Sequence, residues 1–173
     1  AMLATEVSGF GLRDNMKDVL VIAVSQSGTT TDTNRTVDLL RDRGASVIAI
    51  VNRRGSDLTT KADGVCYTSS GRDVEMSVAS TKAFYSQVAA GAYLAFSIEF
   101  IRRGKKPFEN EISQIVSQLV DMPTKMREVL GSESHEHIKE VAKRTVLSRR
   151  SWATVGNGPN SIAAREIRIK SSE

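Results

Sequence analysis

Two short runs of β-branched apolar residues constrain the fold of this chain more than any other feature. They cover residues 19–24 (Val-Leu-Val-Ile-Ala-Val) and 47–51 (Val-Ile-Ala-Ile-Val), and both have the composition of strands buried on two faces. A helical pattern over about 30–43 separates them, and a shorter one over 57–62 precedes a third strand candidate at 65–67. Strands that alternate with helices form βαβ units. The sequence therefore predicts an α/β fold, a Rossmann-like three-layer sandwich with a parallel sheet between helices.

The second half of the chain has long helical patterns instead. One helix is predicted from Val78 to about Arg103 and a second ends near Pro123, while a third contains Ile138, Val141, Ala142 and Val146. Beyond Trp152, which we expect to anchor this junction, come strand-like residues 153–155, a glycine turn at 156–158 and a helix from about Ser161.

A strand, a turn of small residues and a helix therefore occur twice, at residues 19–43 and again at 152–173. This repetition predicts a duplicated α/β unit whose second copy is only begun. We expect three parts: a first α/β domain at 1–103, a helical connector at 104–150, and the beginning of a second domain at 151–173.

Composition excludes several classes of protein. The net charge of +4 comes with only 5% aromatic residues, which do not interleave with the basic clusters, so no nucleic-acid partner is expected. No apolar run approaches the roughly 18 residues that span a bilayer, so no membrane partner is expected either. A single cysteine, Cys66, excludes an internal disulfide and any multi-cysteine metal site, which favours a cytoplasmic location.

The strongest candidate site is the segment from Ser25 to Thr30 (Ser-Gln-Ser-Gly-Thr-Thr), between the first strand and its helix. Open α/β sheets bind ligands at the carboxyl ends of their strands, and a helix N-terminus there attracts phosphate. No lysine follows Gly28, so the segment is not a Walker nucleotide loop. The pattern fits a monophosphate held by hydroxyl groups and backbone without a metal, or else an ordinary Ser/Thr helix cap.

A second candidate lies at residues 75–82 (Glu-Met-Ser-Val-Ala-Ser-Thr-Lys), where the long helix opens. Ser77, Ser80 and Thr81 have the residue types that cap a helix, and the same hydroxyl groups are able to contact a ligand. Spacing alone does not decide between these two roles.

Taken together, the two segments resemble a known family. Residues 25–33 (Ser-Gln-Ser-Gly-Thr-Thr-Thr-Asp-Thr) with 78–84 (Val-Ala-Ser-Thr-Lys-Ala-Phe) are similar to the sugar isomerase (SIS) domain, as found in the isomerase half of the glutamine–fructose-6-phosphate aminotransferases. The resemblance runs from about residue 4 to 103 and resumes at Gly156. It implies a parallel five-stranded sheet between helices, present twice in the isomerase half.

The resemblance also implies roles for particular residues. It implies that a serine-rich loop binds the sugar phosphate and that the start of the next helix contacts the sugar. In the second copy it implies a carboxylate that moves a proton between C1 and C2 of the sugar, and a lysine that assists. The substrate-binding residues are Ser25, Gln26, Ser27, Thr30, Val78 and Ser80; the catalytic residues are Glu173 and Lys170.

The resemblance further implies an enzyme that converts a ketose phosphate to an amino-aldose phosphate, without cofactor or metal. Its other portions are a first strand and loop ahead of the 1–103 domain, the rest of the second SIS domain, and an ammonia-producing glutaminase domain. A homodimer is also expected, and the chain alone is expected to show little turnover.

One segment departs from the family pattern and leaves two alternatives open. Where the family has Leu-Lys-Leu-Lys-Glu, this chain has Ile-Lys-Ser-Ser-Glu at residues 169–173. A non-catalytic phosphosugar-binding or sensing module is the first alternative. The second is a structural dimerisation unit that buries the apolar faces of its long helices.

For the other reactive residue types, a structural or solvent-exposed role is preferred to a functional one. His135 and His137 lack further partners for a metal site and are expected on a solvated helix face. Cys66 is expected to be a small buried hydrophobe rather than a nucleophile. Arg53 and Arg54 follow the second strand, where they are in a position to meet an anion, but simple exposure is the preferred interpretation.

Overall fold

The computed structural model describes residues 1–70, 82–103, 109–131, 133–146 and 148–172. The chain divides into two compact units, Ala1–Arg103 and Gly104–Glu173. The predicted residues Val78, Ser80 and Glu173 lie outside the described residues.

The first unit contains a parallel three-stranded sheet in the order β1-β2-β3, formed by Leu20–Ser25, Ser46–Val51 and Gly64–Tyr67. Leu20 of β1 is opposite Ser46 of β2, and Ile48 of β2 is opposite Gly64 of β3. In the described part of this unit, four helices accompany the sheet: α1 (Ala4–Phe10), α2 (Thr31–Arg41), α3 (Asp57–Lys61) and α4 (Lys82–Arg103). We call the edge where the strands begin the amino edge and the edge where they end the carboxyl edge. The predicted α/β class with a parallel sheet is confirmed.

Helices α2 and α3 pack on one face of the sheet. Their buried side chains Val37 and Leu58 meet Val47 and Ala49 of β2 and Ala23 of β1 in one apolar cluster. Because side chains alternate along a strand, Ile50 points to the opposite face, and it is also buried. Helix α4 packs against β2 as well. Helix α1 is joined to α2 by a 2.9 Å hydrogen bond from the Thr36 hydroxyl to the Ala4 carbonyl.

The prediction that β1 is buried on both faces is wrong. Ala23 and Ser25 are buried, but Leu20, Ile22 and Val24 are 47%, 45% and 50% exposed. In the described residues β1 pairs only with β2, on one side, and α4 packs against β2. The face of β1 that carries Leu20, Ile22 and Val24 is therefore not covered by any described element.

The second unit contains three helices in its described residues: α5 (Glu109–Gly131), α6 (Glu133–Thr145) and α7 (Asn160–Ser172). Helix α5 packs against α6. The predicted helix end near Pro123 is wrong, because α5 continues through the proline. A proline removes one backbone donor within a helix, and the residues on either side of Pro123 keep the helix intact.

The predicted strand at residues 153–155 is also wrong, since these residues are irregular. A strand requires a neighbour for its backbone groups, and the described residues provide none there. The Thr154 hydroxyl instead donates to the Ala164 carbonyl at 3.0 Å. Trp152, expected to be an anchor, is 60% exposed. Among the described residues, no helix combines the length and apolar character needed to cross a membrane.

Candidate functional site

The loop from Ser25 to Thr30 connects β1 to α2 at the carboxyl edge of the sheet. Ser25 is the last residue of β1, opposite Val51 of β2. Its side chain is buried, and its hydroxyl oxygen accepts a 3.1 Å hydrogen bond from the Gly28 amide. Ser25 therefore stabilises the turn from inside the loop.

Gly28 adopts a left-handed conformation that only glycine accepts easily here, with φ of +66°. A Cβ atom at this position would lie 2.8 Å from Cβ of Ser56 and 2.9 Å from Cγ2 of Val51. The backbone of the loop is thus pressed against the segment that follows β2. This close approach fixes the position of the loop relative to the rest of the sheet.

Asn34, a residue of α2, holds the loop from the other side. Its amide Nδ2 donates to the carbonyl oxygens of Gly28, at 3.0 Å, and of Thr30, at 3.1 Å. The Gly28 carbonyl also accepts from the Leu58 amide at 3.0 Å. Only 6% of the Asn34 surface is exposed. Its Oδ1 atom has no hydrogen-bond partner among the described residues. A buried carbonyl-type oxygen of this kind is a natural position for an ordered water.

Two hydroxyl groups of the loop lie closer to solvent. Ser27 is half-buried. Its Oγ accepts two hydrogen bonds from Thr29, one from the backbone amide at 3.3 Å and one from the Thr29 hydroxyl at 3.0 Å. Thr30 is the exposed N-cap residue of α2 and makes no side-chain cap bond. The first amides of α2 have no intrahelical acceptor, and the helix dipole gives this terminus a partial positive charge. An anion placed there meets free amides and hydroxyl donors.

Asn52 links the loop to the segments that follow β2 and β3. Its backbone amide donates to the Gln26 carbonyl at 3.1 Å. Its buried side-chain Oδ1 accepts from the hydroxyl groups of Ser69, at 2.5 Å, and Thr68, at 3.3 Å. The ends of all three strands are therefore joined through one residue. The chain then continues from Ser70 into the segment that contains Val78 and Ser80.

The structure thus brings together some of the predicted site residues. Ser25, Gln26, Ser27 and Thr30 form one loop, with Ser25 buried within it. Lys170 belongs to the second unit, and its ammonium contacts Oε1 of Glu166 at 2.6 Å on the same helix. The described residues contain no group of three or more His, Cys, Asp or Glu side chains placed to share a metal ion.

Sequence reasoning missed Asn34, Asn52 and Ser56, all of which are buried at this edge. The one available signal was a polar residue in an otherwise apolar position. Asn52 directly follows a buried strand, and Asn34 lies on the same face of α2 as Val37. A buried amide needs partners, and those partners are visible only in three dimensions.

Comparison with known proteins identifies a family and relatives of this chain. The model of the SIS domain matches residues 12–97. The glutamine–fructose-6-phosphate aminotransferase (isomerizing) of Corynebacterium efficiens is 38% identical over 154 residues, which is 89% of this chain and 24% of that protein. The enzyme of the same name from Corynebacterium glutamicum is 42% identical over 124 residues, 72% of this chain and 19% of that protein. The chain thus spans about a quarter or less of the relatives it matches.

A solved structure shows the same fold over nearly the whole chain. The C-terminal domain of glucosamine-fructose-6-phosphate aminotransferase from Francisella tularensis superposes with a TM-score of 0.80. The match covers 95% of this chain and 45% of that one, at 24% sequence identity.

Proposed function

The chain belongs, through its residues 12–97, to the SIS domain family, and on this premise we propose that it is a phosphosugar-binding part of an isomerising enzyme. The enzyme resembles glutamine–fructose-6-phosphate aminotransferase, the name carried by relatives 38% and 42% identical to this chain. The reaction converts a ketose phosphate to an amino-aldose phosphate. The ligand of the described loop is the phosphate group of that sugar.

One observation carries this proposal. In the loop between β1 and α2, buried side chains make the hydrogen bonds that hold the turn, whereas the groups suited to bind an anion lie on the solvent side. Ser25 and Asn34 hold the turn, and both are buried. In the described residues, the N-terminus of α2 at Thr30 has no side-chain cap, and Ser27 is half-buried in the same loop. A phosphate needs several converging donors, and a helix N-terminus with hydroxyl groups supplies them without a metal.

The chemical step is proposed from the resemblance. Glu173 is the base that moves a proton between C1 and C2 of the sugar, and Lys170 stabilises the developing oxyanion. Val78 and Ser80 contact the sugar. A homodimer, a glutaminase domain in the complete enzyme and a cytoplasmic location belong to the same proposal.

A non-catalytic phosphosugar-binding module is the second candidate, and Lys170 favours it. Its ammonium is engaged by Glu166 at 2.6 Å, one helical turn away. A lysine in such a pair must leave it before it stabilises an oxyanion on a sugar. Ser171 and Ser172 also stand where the family has Leu and Lys.

Ligand-observed NMR with fructose 6-phosphate tests the binding part of the proposal. We expect saturable binding that inorganic phosphate competes away, and at least about tenfold weaker binding by Ser27→Ala. Ser46→Ala is the matched control, because Ser46 is an exposed serine at the opposite edge of the sheet. Binding that is insensitive to phosphate, or equal in the two variants, contradicts the proposal.

The catalytic part requires a different measurement. We expect little turnover from the 173-residue chain alone, and loss of turnover with retained binding for Glu173→Gln in the full-length enzyme. A full-length enzyme that binds the sugar phosphate but never isomerises it supports the binding-module candidate instead.

A further inference from the structure

Two neighbouring arginines lie at the carboxyl edge of the sheet, whereas the ion pairs near the amino edge engage Arg13, Arg41 and Lys61. Arg53 and Arg54 come after β2 and Asn52, and both are exposed. Within the described residues, neither has a carboxylate oxygen at ion-pair distance. At the other edge Arg13 contacts Asp18 at 2.8 Å and Arg41 contacts Asp63 at 2.7 Å. Among the described residues, no carboxylate therefore pairs with the positive charge of Arg53 or Arg54.

Arg54 is nonetheless held in place. Its guanidinium carbon lies 4.1 Å from the centroid of the Tyr67 ring, at the end of β3. A cation over an aromatic face is attracted by the ring quadrupole. Stacking engages the face of the guanidinium and leaves the in-plane N–H groups free. Those N–H groups form the planar fork that binds a phosphate or carboxylate with two hydrogen bonds.

The arginine turn is also tied to the candidate phosphate loop. The amide of Arg53 donates to the Gln26 carbonyl at 3.4 Å, beside the 3.1 Å bond from Asn52. The Ser56 hydroxyl donates to the Arg53 carbonyl at 3.0 Å, and Ser56 is the residue against which Gly28 packs. These bonds hold the turn and the loop in a defined relation.

The spacing of the strands sets the length of a ligand that contacts both the phosphate loop and the Arg54 guanidinium. The phosphate loop follows β1, and Arg54 stacks at the end of β3, two strands away. Neighbouring strands are just under 5 Å apart, so the two positions are separated across the sheet by about 10 Å. That is comparable to a hexose with an anionic group at each end.

We propose that Arg54, stacked on Tyr67, and its neighbour Arg53 form a second anion-binding site that selects sugars carrying two anionic groups. The first group is the phosphate in the loop from Ser25 to Thr30. The second, a phosphate or a carboxylate, is at the remote end of the sugar. This inference rests on the proposed phosphosugar function and narrows its substrate class.

Titration of the chain with three sugars tests the inference. The probes are fructose 6-phosphate, fructose 1,6-bisphosphate and 6-phosphogluconate. We expect at least one of the doubly anionic sugars to bind about tenfold more tightly than fructose 6-phosphate, as a charge-assisted fork predicts. Preference for the bisphosphate alone identifies a second phosphate, and preference for the gluconate identifies a carboxylate.

Variants assign the preference to the arginine fork. Arg54→Ala is expected to abolish the preference for doubly anionic sugars and to change the affinity for fructose 6-phosphate less than twofold. Arg54→Lys is expected to keep only part of that preference. Tyr67→Phe keeps the stacking surface and the preference, and Tyr67→Leu loses it. Arg13→Ala removes the same charge at the amino edge and serves as control. Unfolding curves establish that each variant is folded.

The outcomes separate this inference from the function on which it rests. Absence of any phosphate-competed fructose 6-phosphate binding contradicts the phosphosugar function itself. Binding of fructose 6-phosphate with equal affinity for all three sugars overturns only the second anion site. A preference that persists in Arg54→Ala, or that falls equally in Arg13→Ala, also overturns it, because general charge rather than the fork then explains the result.

Discussion

At the amino edge of the sheet the carboxylate of Asp63 accepts a 2.7 Å hydrogen bond from the Val47 amide and another from Arg41, so its bonding capacity is used within the protein. At the carboxyl edge the corresponding groups are donors: the first amides of α2, where no side-chain cap is made, the Thr30 hydroxyl, and the Arg54 guanidinium stacked on Tyr67. Both edges belong to the same three strands. Their chemistry differs because one edge pairs its charges within the protein, whereas the other carries the donors that we propose bind a ligand.

The contrast between the two edges follows from the course of the chain through a parallel sheet. Helices return the chain to the amino edge, where their C-termini bring basic residues such as Arg41 and Lys61 near Asp63 and Asp38. At the carboxyl edge, helices begin, and their free amides attract anions. Substitutions at the carboxyl edge should therefore be the ones that affect phosphate binding, whereas substitutions at either edge should affect stability.

Gly28→Ala is expected to have the largest effect. The left-handed backbone and the contact with Ser56 make a side chain costly, and we expect a loss of about 1–3 kcal/mol in unfolding free energy. Phosphate affinity should fall by more than about tenfold because the loop must move. Urea unfolding and a phosphate titration by NMR measure the two effects.

Gly44→Ala is the matched variant at the amino edge. Gly44 has φ of +90°, and the added Cβ would meet the flexible Lys17 side chain. It should lose stability to a similar degree and retain phosphate binding. Equal loss of binding in both variants would mean that the two edges are not independent.

Asn34 gives the next largest effect, and the size of the loss depends on the replacement. Asn34→Asp cannot donate to the Gly28 and Thr30 carbonyl oxygens and places a charge among them, so we expect a loss of about 1–3 kcal/mol at neutral pH. Asn34→Leu should cost less than about 1 kcal/mol, since each carbonyl keeps a backbone donor and the unpartnered Oδ1 is removed. Thermal unfolding measures both. Because both variants lose the Nδ2 donor, the reverse order would show that the charge of the aspartate is not the main cost.

Ser25 and Ser27 test whether stability and ligand binding depend on different residues of a single loop. Ser25→Ala removes the buried acceptor of the Gly28 amide and should lower the unfolding free energy by about 0.5–1.5 kcal/mol. Ser27→Ala should leave stability nearly unchanged and weaken fructose 6-phosphate binding. The paired measurement is urea unfolding together with ligand titration. A Ser25→Ala variant with full stability would contradict its structural role.

Asp63 is expected to have the smallest effect, confined to acid. The hydrogen bond from the Val47 amide, with help from Arg41, holds the pKa of Asp63 below its usual value. A lowered folded pKa stabilises the protein above the unfolded pKa near 4, and the contribution is lost as pH falls through the folded pKa. Asp63→Asn should flatten the fall in Tm below about pH 4. Asp42→Asn, an exposed aspartate beside the same edge, is the control, and sugar-phosphate binding at pH 7 should not change in either.

Much of the first unit was predictable because its signals are local. The apolar runs at 19–24 and 47–51 became β1 and β2, and the serine-rich segment between strand and helix lies at the carboxyl edge as expected. Prediction failed where a neighbour decides the outcome. Residues 153–155 have strand composition but no partner strand among the described residues, and Leu20, Ile22 and Val24 of β1 lack a covering layer.

The sequence by itself determined the order of strands and helices and the position of the hydroxyl-rich loop, because periodicity, β-branching and helix-start residues act over a few neighbours. Only the tertiary structure decided which serine supports the loop, that Asn34 and Asn52 fasten it, and that Arg54 stacks on Tyr67. Those choices depend on contacts between residues far apart in the chain. Such contacts form only when packing brings the segments within a few ångströms, and no local pattern encodes that distance.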